Sequence, residues 1–292
     1  KNVENFILNS NLKTSVVFDL DKKFKITNHS YSTAGEIKRL QFKLKDVSFI
    51  KDFLPSFNDN IVIKNSKIRF SSTSKEQKVS LQGNIKFSDN FENFDLIHSF
   101  NKDKKKHSIK MSSSLNETPL KLDNLNYYKK EQEKAQIDLL AEIILDKYFL
   151  IKNLNYFDKS SEIKLQKIKF NKNYELFDLN KIKVKTYSDN TKNNDFSVIK
   201  SNNIIVNGDV FDAQPLIKSL FTKDDKKIFS KKFNSDVKID FKKTITGSDD
   251  DISNLSMIAS IKKGSYSKLS SKGNFSEKEI IEMSIYQIDK NK

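Results

Sequence analysis

Three histidines are the side chains of this 292-residue chain best suited to proton transfer or metal binding. His29, His98 and His107 have no second His, Cys or carboxylate at a metal-ligand spacing in the sequence. His98 also falls on the same strand parity as Phe94 and Leu96, which predicts a position on or near an apolar face. We therefore interpret the histidines as structural residues and predict no metal site.

The other chemical motifs of the chain are equally weak. The triplet Asp249-Asp250-Asp251 lacks the alternate spacing and the trailing Glu of a calcium loop, and Asp224-Asp225 before Lys226-Lys227 is typical of an exposed loop. No Ser stands in a nucleophile-elbow pattern, and no Gly-rich loop could cradle phosphate. The absence of Cys excludes disulfides and thiolate metal sites. The sequence thus predicts no catalytic residue, no cofactor and a protein that is not an enzyme.

Strict two-residue alternation of apolar and polar side chains runs through the whole chain. Successive side chains of a strand point to opposite faces, so each alternating stretch predicts a strand with one apolar and one polar side. The clearest apolar positions, which we predict to line one common face, are Val79, Leu81, Ile85, Phe87, Val237, Ile239, Phe241, Leu255, Met257 and Ile261.

The pattern predicts about sixteen strands separated by Ser-, Asn-, Asp- and Lys-rich breaks. With only six Gly and three Pro, the turns must be built mostly from Asn, Asp, Ser and Lys. The strands are predicted near 12–19, 23–28, 37–45, 61–70, 78–88, 93–100, 107–114, 135–144, 147–152, 161–170, 175–187, 196–206, 235–243, 253–262, 265–275 and 279–288.

Two segments have helical character. A short turn is predicted at 49–57, before or around Pro55. The better helix is 212–221, where Asp212 can cap and Pro215 stands in the first turn. Its apolar stripe, which we predict to cover a sheet edge, consists of Leu216, Ile217, Leu220 and Phe221.

About sixteen strands spaced by about 4.8 Å would make a flat sheet some 75 Å wide. Open sheets rarely exceed about ten strands without curling or splitting, so this sheet must curl, fold over or divide. In a curled sheet the apolar faces line a groove, whereas in a sandwich they fill a closed core. Periodicity leaves both architectures open.

The net charge of the chain is large, but few of its basic residues are of the type that recognises nucleic acids. The formal net charge is +15, yet only Arg39 and Arg69 of the 53 basic residues are arginine. Bidentate recognition of bases and phosphates favours arginine, so we predict no nucleic-acid partner. The lysines alternate with Ser, Asn and Asp, which is typical of a solvated face; attraction to an anionic membrane surface is the functional alternative. The apolar-rich run 137–145 is too short to cross a bilayer.

From about residue 137 onward the chain resembles the AsmA-like superfamily, in particular the YhdP-type proteins of Gram-negative bacteria. That family has a similar order of strand, Gly, Asp-Ala and short apolar helix, followed by Asn-Leu and Gly positions between strands. Residues 1–136 share only the alternating texture. The residues that carry the resemblance are Ile204-Ile205-Val206-Asn207-Gly208, Phe211-Asp212-Ala213-Gln214-Pro215-Leu216-Ile217, Val237 to Phe241, Ile252-Ser253-Asn254-Leu255, Lys262-Lys263-Gly264 and Ser271 to Phe275.

The resemblance implies a repeating β-groove, that is, an extended, curled antiparallel sheet whose apolar trough carries phospholipid acyl chains across the periplasm. On this view 1–136 and 137–292 are two groove segments, and the ten alternating residues named above line the trough. Phospholipid is then the ligand, and inner- and outer-membrane proteins are possible partners at the ends of the full-length chain. The family is anchored in the inner membrane by an N-terminal helix. This chain starts with Lys1 inside an apolar pattern, so we expect a piece of a longer protein.

Two other functions fit the same pattern. A structural or adhesive β-sandwich or solenoid would seal the apolar faces in a dry core and bind no ligand. A polysaccharide- or lipid-modifying enzyme would bring carboxylates or histidines together in a cleft, and separated histidines would count against it. Exposure of the alternating face distinguishes a trough from a sealed core.

Overall fold

The computed structural model describes residues 3–220, 229–247, 251–275 and 279–286. Most of these residues are in strands, with two short 3-10 turns and one short α-helix, so the predicted mainly β class with one or two short helices is confirmed. The nineteen strands are β1 (Val3–Leu20), β2 (Ile26–Leu44), β3 (Asn60–Ser72), β4 (Glu76–Lys86), β5 (Glu92–Asn101), β6 (Lys106–Ser114), β7 (Leu120–Leu122), β8 (Tyr127–Lys129), β9 (Ala135–Ile144), β10 (Tyr148–Asp158), β11 (Glu162–Asn171), β12 (Leu176–Asp178), β13 (Lys181–Ser188), β14 (Thr191–Lys200), β15 (Ile204–Asp212), β16 (Ser235–Ile245), β17 (Ile252–Lys262), β18 (Ser265–Asn274) and β19 (Ile280–Tyr286).

The chain divides into two compact units, and the division differs from the predicted one. Unit 1 comprises Lys1–Lys121 and Lys129–Asp146, and unit 2 comprises Leu122–Tyr128 and Lys147–Lys292. The predicted boundary at 136/137 falls inside β9, which pairs with β6 and therefore belongs to unit 1. The composition of the chain does not reveal the observed boundary between the units, because the alternating pattern continues unchanged across it.

Unit 1 is an antiparallel meander in which β1, β2, β3, β4, β5, β6 and β9 pair in that order. The 3-10 turn Ser48–Asp52, inside the segment predicted to be helical, lies in the connection between β2 and β3. This connection covers one end of the apolar face. The buried cluster formed there consists of Ile37, Phe57, Ile61, Ile63, Leu81 and Phe94.

In unit 2, β10, β11, β13, β14, β15, β16, β17, β18 and β19 pair in order, and β12 adds to the end of β11. The predicted antiparallel arrangement holds for all these pairs except β15 and β16, which are parallel. Parallel neighbours cannot be joined by a tight hairpin and need a crossover connection, which usually contains a helix. The segment between β15 and β16 supplies this helix.

That helix, α1 (Gln214–Leu220), coincides with the predicted helical segment. Asp212 ends β15, and its Oδ1 accepts a hydrogen bond of 3.1 Å from the amide of Gln214. Pro215 and Ile217 are half-buried, whereas Leu216 is exposed. The backbone of Leu220 ends the helix, and Phe221 lies outside the described residues. The helix joins the parallel strands β15 and β16, and its role as a cover of a sheet edge stays a prediction.

The turns use the residues that the composition predicted. Asp189 and Asn190, between β13 and β14, both have positive φ angles, 47° and 63°. Asn and Asp tolerate this left-handed conformation better than other non-glycine residues, and two such residues in succession make the tight turn that matches strand twist. Of the predicted acidic loops, 224–227 and Asp249-Asp250 lie outside the described residues, whereas Asp251 pairs with Lys243.

A bulge keeps the apolar face of β3 continuous. Asn65 has φ 48°, and the register with β4 shifts between Lys64 and Lys67. Ile63 opposes Ile85, and Ile68 opposes Leu81. Since Ile85 and Leu81 share one face of β4, the extra residue in β3 returns Ile68 to the face that Ile63 occupies.

The close packing at this bulge predicts a large effect of a small substitution. A Cβ on Gly83 would lie 2.0 Å from Oγ, 2.6 Å from Cβ and 2.7 Å from Cα of Ser66. Gly83→Ala should therefore lower the free energy of unfolding by about 1–3 kcal/mol in urea denaturation followed by circular dichroism. The exposed neighbour is the control, and Gln82→Ala should be nearly neutral. Equal effects of the two substitutions would contradict the packing described here.

Candidate functional site

A strip of apolar side chains crosses seven strands of unit 2. Its members are successive Cα partners in the pairings of β10, β11, β13, β14, β15, β16 and β17. At about 4.8 Å per strand the strip is about 29 Å long. All its members are half-buried, so each of the seven side chains keeps part of its surface accessible to solvent. They are Leu154, Leu165, Ile182, Val198, Val206, Ile239 and Met257.

The row beside this strip is more deeply buried. Tyr156, Ile163, Val184 and Phe241 are at most 7% exposed. Gly208 stands between Phe196 and Phe241 in the same row, and a Cβ there would lie 2.5 Å from Cβ of Phe196. The apolar face of unit 2 is therefore closed along one row and open along the next.

A buried polar network holds the segment 122–128 against this closed side. Asn194, which is 0% exposed, donates from Nδ2 to the carbonyl of Leu125 at 2.7 Å and to Oγ1 of Thr186 at 2.9 Å. Its Oδ1 accepts from the amide of Asp212 at 3.0 Å. Asn193 donates to the carbonyls of Leu125 and Asn126. Each of these side-chain and backbone groups has a hydrogen-bond partner, so the network is structural rather than catalytic.

A second network lies on the same segment. The hydroxyls of Tyr127 and Tyr156 are 2.6 Å apart, and Tyr127 donates to the Asp158 carboxylate. Burial raises the pKa of Tyr127 well above its ordinary value, and the neighbouring Tyr156 and Asp158 raise it further. Tyr127 therefore remains a protonated hydrogen-bond donor and is not an available nucleophile.

Unit 1 carries a corresponding strip across β3, β4, β5, β6 and β9. One row of successive partners is Ile68, Leu81, Leu96, Met111 and Leu139. The next row, in the same strand order, is Phe70, Val79, His98, Ile109 and Ala141. Leu81 and Ala141 are buried, and the other members are half-buried.

The structure brings two of the three histidines together, which their spacing in the sequence did not predict. His98 Nε2 and His107 Nδ1 are 2.9 Å apart, and the His107 ring stacks on Phe100 with 4.5 Å between centroids. The β5–β6 hairpin opposes Phe100 to His107, which places His98 one step away on the same face. A hairpin register built around the predicted break at 101–106 would have placed these two histidines close together. His29 is exposed on β2.

The surroundings of His98 favour its neutral imidazole. Burial lowers the pKa of His98, and the nearby His107 lowers it further. In the described part of the chain no group of three His, Cys, Asp or Glu side chains is placed to hold a metal ion. The pair is thus a hydrogen-bonded polar feature within an otherwise apolar strip, and the structure provides no third ligand beside it.

The ten predicted face residues fall into two sets, one in each unit, and none of them is exposed. In unit 2, Phe241 opposes Leu255 and Ile239 opposes Met257, so the predicted common face exists there. Val237 and Ile261 share that face but are buried. In unit 1, Val79 and Leu81 belong to the strip, whereas Ile85 and Phe87 pack against the buried cluster.

The opposite face of unit 2 carries ion pairs together with exposed Ile258. Lys238 contacts Asp240 at 3.1 Å, and Lys242 contacts Asp209 at 2.8 Å. Asp240, Lys242 and Asp209 line an open depression of about 760 Å³. Lys242 lowers the pKa of Asp209, because the ammonium favours the charged carboxylate. Carboxylates held in this way stay ionised and exposed, which suits a solvated surface better than acid–base catalysis.

The Asn194 network should contribute strongly to stability. Asn194→Ala would remove the side-chain acceptor of the Asp212 amide and one of the hydrogen bonds of the Leu125 carbonyl and of the Thr186 hydroxyl, each of which keeps a bond to Asn193. We expect a loss of about 2–4 kcal/mol in the free energy of unfolding, measured by denaturant titration. Asn202→Ala, at an exposed position of the same unit, is the matched control and should change stability little. A neutral Asn194→Ala would refute the importance of the network.

The lowered pKa of His98 predicts a pH dependence of stability. The unfolded chain takes up this proton near pH 6.5, before the folded chain does, so folding stability is full above that pH and falls as the pH decreases. His98→Phe should reduce the loss of stability between pH 7 and 5.5 in denaturant titrations. His29→Phe, at an exposed site, should leave the loss unchanged. The same slope in both variants would contradict the assignment.

Comparisons with known proteins do not assign this chain to a family. No family model, no curated protein and no solved structure matches it. Among the described residues, none of the helical segments has the length and apolar character needed to span a bilayer. The geometry of the apolar strips is therefore the main guide to function.

Proposed function

We propose that this protein shields phospholipid acyl chains in the apolar strips of its sheets and takes part in lipid transport between membranes. The observation that carries the proposal is the strip from Leu154 to Met257, in which seven apolar side chains on seven neighbouring strands are all half-buried. Soluble proteins rarely leave a contiguous apolar surface of more than a few hundred Å² uncovered unless something binds there.

The dimensions of the strip suit an acyl chain. The hydrocarbon core of a bilayer is about 30 Å thick, so one leaflet, and hence one acyl chain, spans about 15 Å. A strip of about 29 Å across the strands is long enough to hold such a chain. Each methylene group transferred from water to the strip contributes about 0.8 kcal/mol, without any need for a specific pocket.

The composition of the strip also favours a flexible apolar ligand. Six of its seven members are Leu, Ile or Val and the seventh is Met257, so the surface offers aliphatic contacts and no hydrogen-bonding group. A polar substrate would leave its donors and acceptors unpaired there, at a cost of about 1–3 kcal/mol each. The head group of a lipid would remain in water at the margin of the strip.

The resemblance to AsmA-like proteins supports the same ligand and adds a location. Proteins of that family carry phospholipids across the periplasm and are anchored in the inner membrane. We extend both features to this chain as part of the proposal.

A structural or adhesive protein with sealed cores is the second candidate. It is favoured by the full burial of Leu81, Val237, Phe241 and Ile261, all of which were predicted to line the trough. Leu81 is itself a member of the strip of unit 1, whereas Val237, Phe241 and Ile261 lie beside the strip of unit 2, whose seven members are all half-buried. Lipid binding is what separates the two candidates.

Two substitutions of the same kind on opposite faces test the proposal. Ile239→Asp places a carboxylate in the strip, whereas Ile258→Asp places one on the opposite face, where Ile258 is 57% exposed. We expect Ile239→Asp to weaken binding of a fluorescent phospholipid by at least tenfold and to deplete co-purified lipid in mass spectrometry. Ile258→Asp should bind like the unmodified chain.

Circular dichroism of both variants separates loss of binding from loss of folding. If the unmodified protein carries no co-purified phospholipid and does not bind the fluorescent probe, the proposed function is wrong. Equal binding by the two folded variants would show that lipid binds elsewhere.

A further inference from the structure

The face of unit 1 opposite its apolar strip carries a cavity of about 610 Å³. Arg69, which lines this cavity, directly follows Ile68 of the strip on β3, so the two side chains point to opposite faces of the sheet. Residues of β1, β2, β3, β4 and β5 surround the cavity. Its place is therefore distinct from the strips on which the proposed lipid function depends.

Two neighbouring rows of successive Cα partners form most of this cavity. The first row consists of Lys13, Ala34, Arg69 and Ser80. The second row consists of Ser15, Ser32, Ser71 and Lys78. Five of these eight side chains are the short ones of Ser or Ala, and the other three are long and cationic. The short side chains leave a depression between the long ones, which is why a cavity forms on the face of a sheet.

The charges of this cavity are all positive. The described residues that line it include Lys13, Arg69 and Lys78 but no Asp or Glu. None of these three cations forms an ion pair with a described carboxylate, in contrast to the depression of unit 2, where Lys242 pairs with Asp209 at 2.8 Å. A concave surface with charges of one sign raises the local concentration of ions of the opposite sign. The cavity therefore favours an anionic ligand.

The spacing of the three cations suits one small anion. Arg69 and Lys78 are diagonal neighbours on adjacent strands, with Cα atoms about 7–8 Å apart. Lys13 lies two strands away from Arg69, at about 10 Å. The long side chains of Lys and Arg can reach a common point between these positions. The hydroxyls of Ser71 and Ser80 lie among them and provide further donors.

Arg69 distinguishes this cavity from the rest of the lysine-rich surface. Only Arg39 and Arg69 of the 53 basic residues are arginine. The guanidinium of Arg39 donates from Nη2 to Oε1 of Gln41 at 2.7 Å. Arg69 has no such side-chain partner among the described residues, so its planar set of donors is available to a ligand.

We propose that this cationic cavity binds a phosphate monoester. Such a group carries a charge of about −1.5 to −2 at neutral pH and three acceptor oxygens, so it matches three cations better than a single carboxylate does. Arg69 supplies two parallel N–H donors, and Lys13 and Lys78 supply point charges. The ester is either a soluble molecule or the head group of a lipid such as phosphatidic acid, since both present the same phosphate. The proposal is independent of acyl-chain binding in the strips.

Two sets of probes distinguish the sources of the phosphate. One set is inorganic phosphate and glycerol phosphate, titrated into the full chain at constant ionic strength and followed by NMR. The other is vesicles of equimolar phosphatidylcholine and phosphatidic acid, with pure phosphatidylcholine vesicles as the blank, in a sedimentation assay. Saturable binding of the soluble probes identifies a free ester as the ligand, and binding of the phosphatidic acid vesicles alone identifies a lipid head group.

Replacement of each arginine then shows whether the cavity is the binding site. Arg69→Gln should weaken the observed phosphate binding about tenfold, the loss expected for a hydrogen bond to a charged group. Arg39→Gln removes the same charge from the same unit and should bind like the unmodified chain. Circular dichroism of both variants checks that they are folded. Absence of binding with both sets of probes, or equal effects of the two substitutions, would overturn the proposal.

A carboxylate placed inside the cavity provides a second test. Ser71 is exposed and opposes Lys78, so Ser71→Asp offers the cations an internal partner that competes with phosphate. The same titrations should show binding weakened about tenfold, since a charge-assisted contact is lost to the ligand. Ser201→Asp, at an exposed position of unit 2, changes the net charge equally and should have no effect. Equal losses in both variants would mean that only the overall charge attracts phosphate, and the cavity would be rejected as a site.

Discussion

Both apolar strips depend on one constraint, namely that neighbouring strands pair in a register that keeps their apolar side chains on the same face. Side chains alternate with a period of two, so a slip of one residue at any junction would turn a strand's apolar side chains to the lysine-rich face. Local irregularities are therefore compensated where they occur. The bulge at Asn65 returns Ile68 to the apolar face of unit 1, and Gly208 lets Phe196 and Phe241 approach across β15. The strips exist because such local adjustments keep the apolar side chains of neighbouring strands on one face.

The sequence was a good guide to local structure and a poor guide to pairing. The alternation around Val79 and Ile239 predicted their strands, and Asp212 and Pro215 predicted the helix, because these signals are local. The parallel contact of β15 with β16 and the roles of Asn193 and Asn194 depend on partners up to 69 residues away. Asn193 and Asn194 resemble ordinary surface residues until the segment 122–128 is in place. The pairing of His98 with His107 required only a hairpin register and could have been derived.

Each unit combines a closed region with an open one, and this division is physically necessary for an accessible apolar strip. A one-sided sheet without any covering segment would bury too little apolar surface to fold. The connection at 47–57 in unit 1 and the segment 122–128 in unit 2 provide that cover. The second of these is fixed mainly by side-chain amides and hydroxyls whose partners are complete. The covered rows can thus stabilise each unit while the strip that crosses the strands remains half-buried.

The low hydrophobic fraction of 36% follows from the same architecture, because every strand devotes one face to water. Lysine suits that face, since its charge prevents association of copies while its aliphatic stem covers the sheet. The half-buried apolar strips and the lysine-rich face are therefore two consequences of the same alternation.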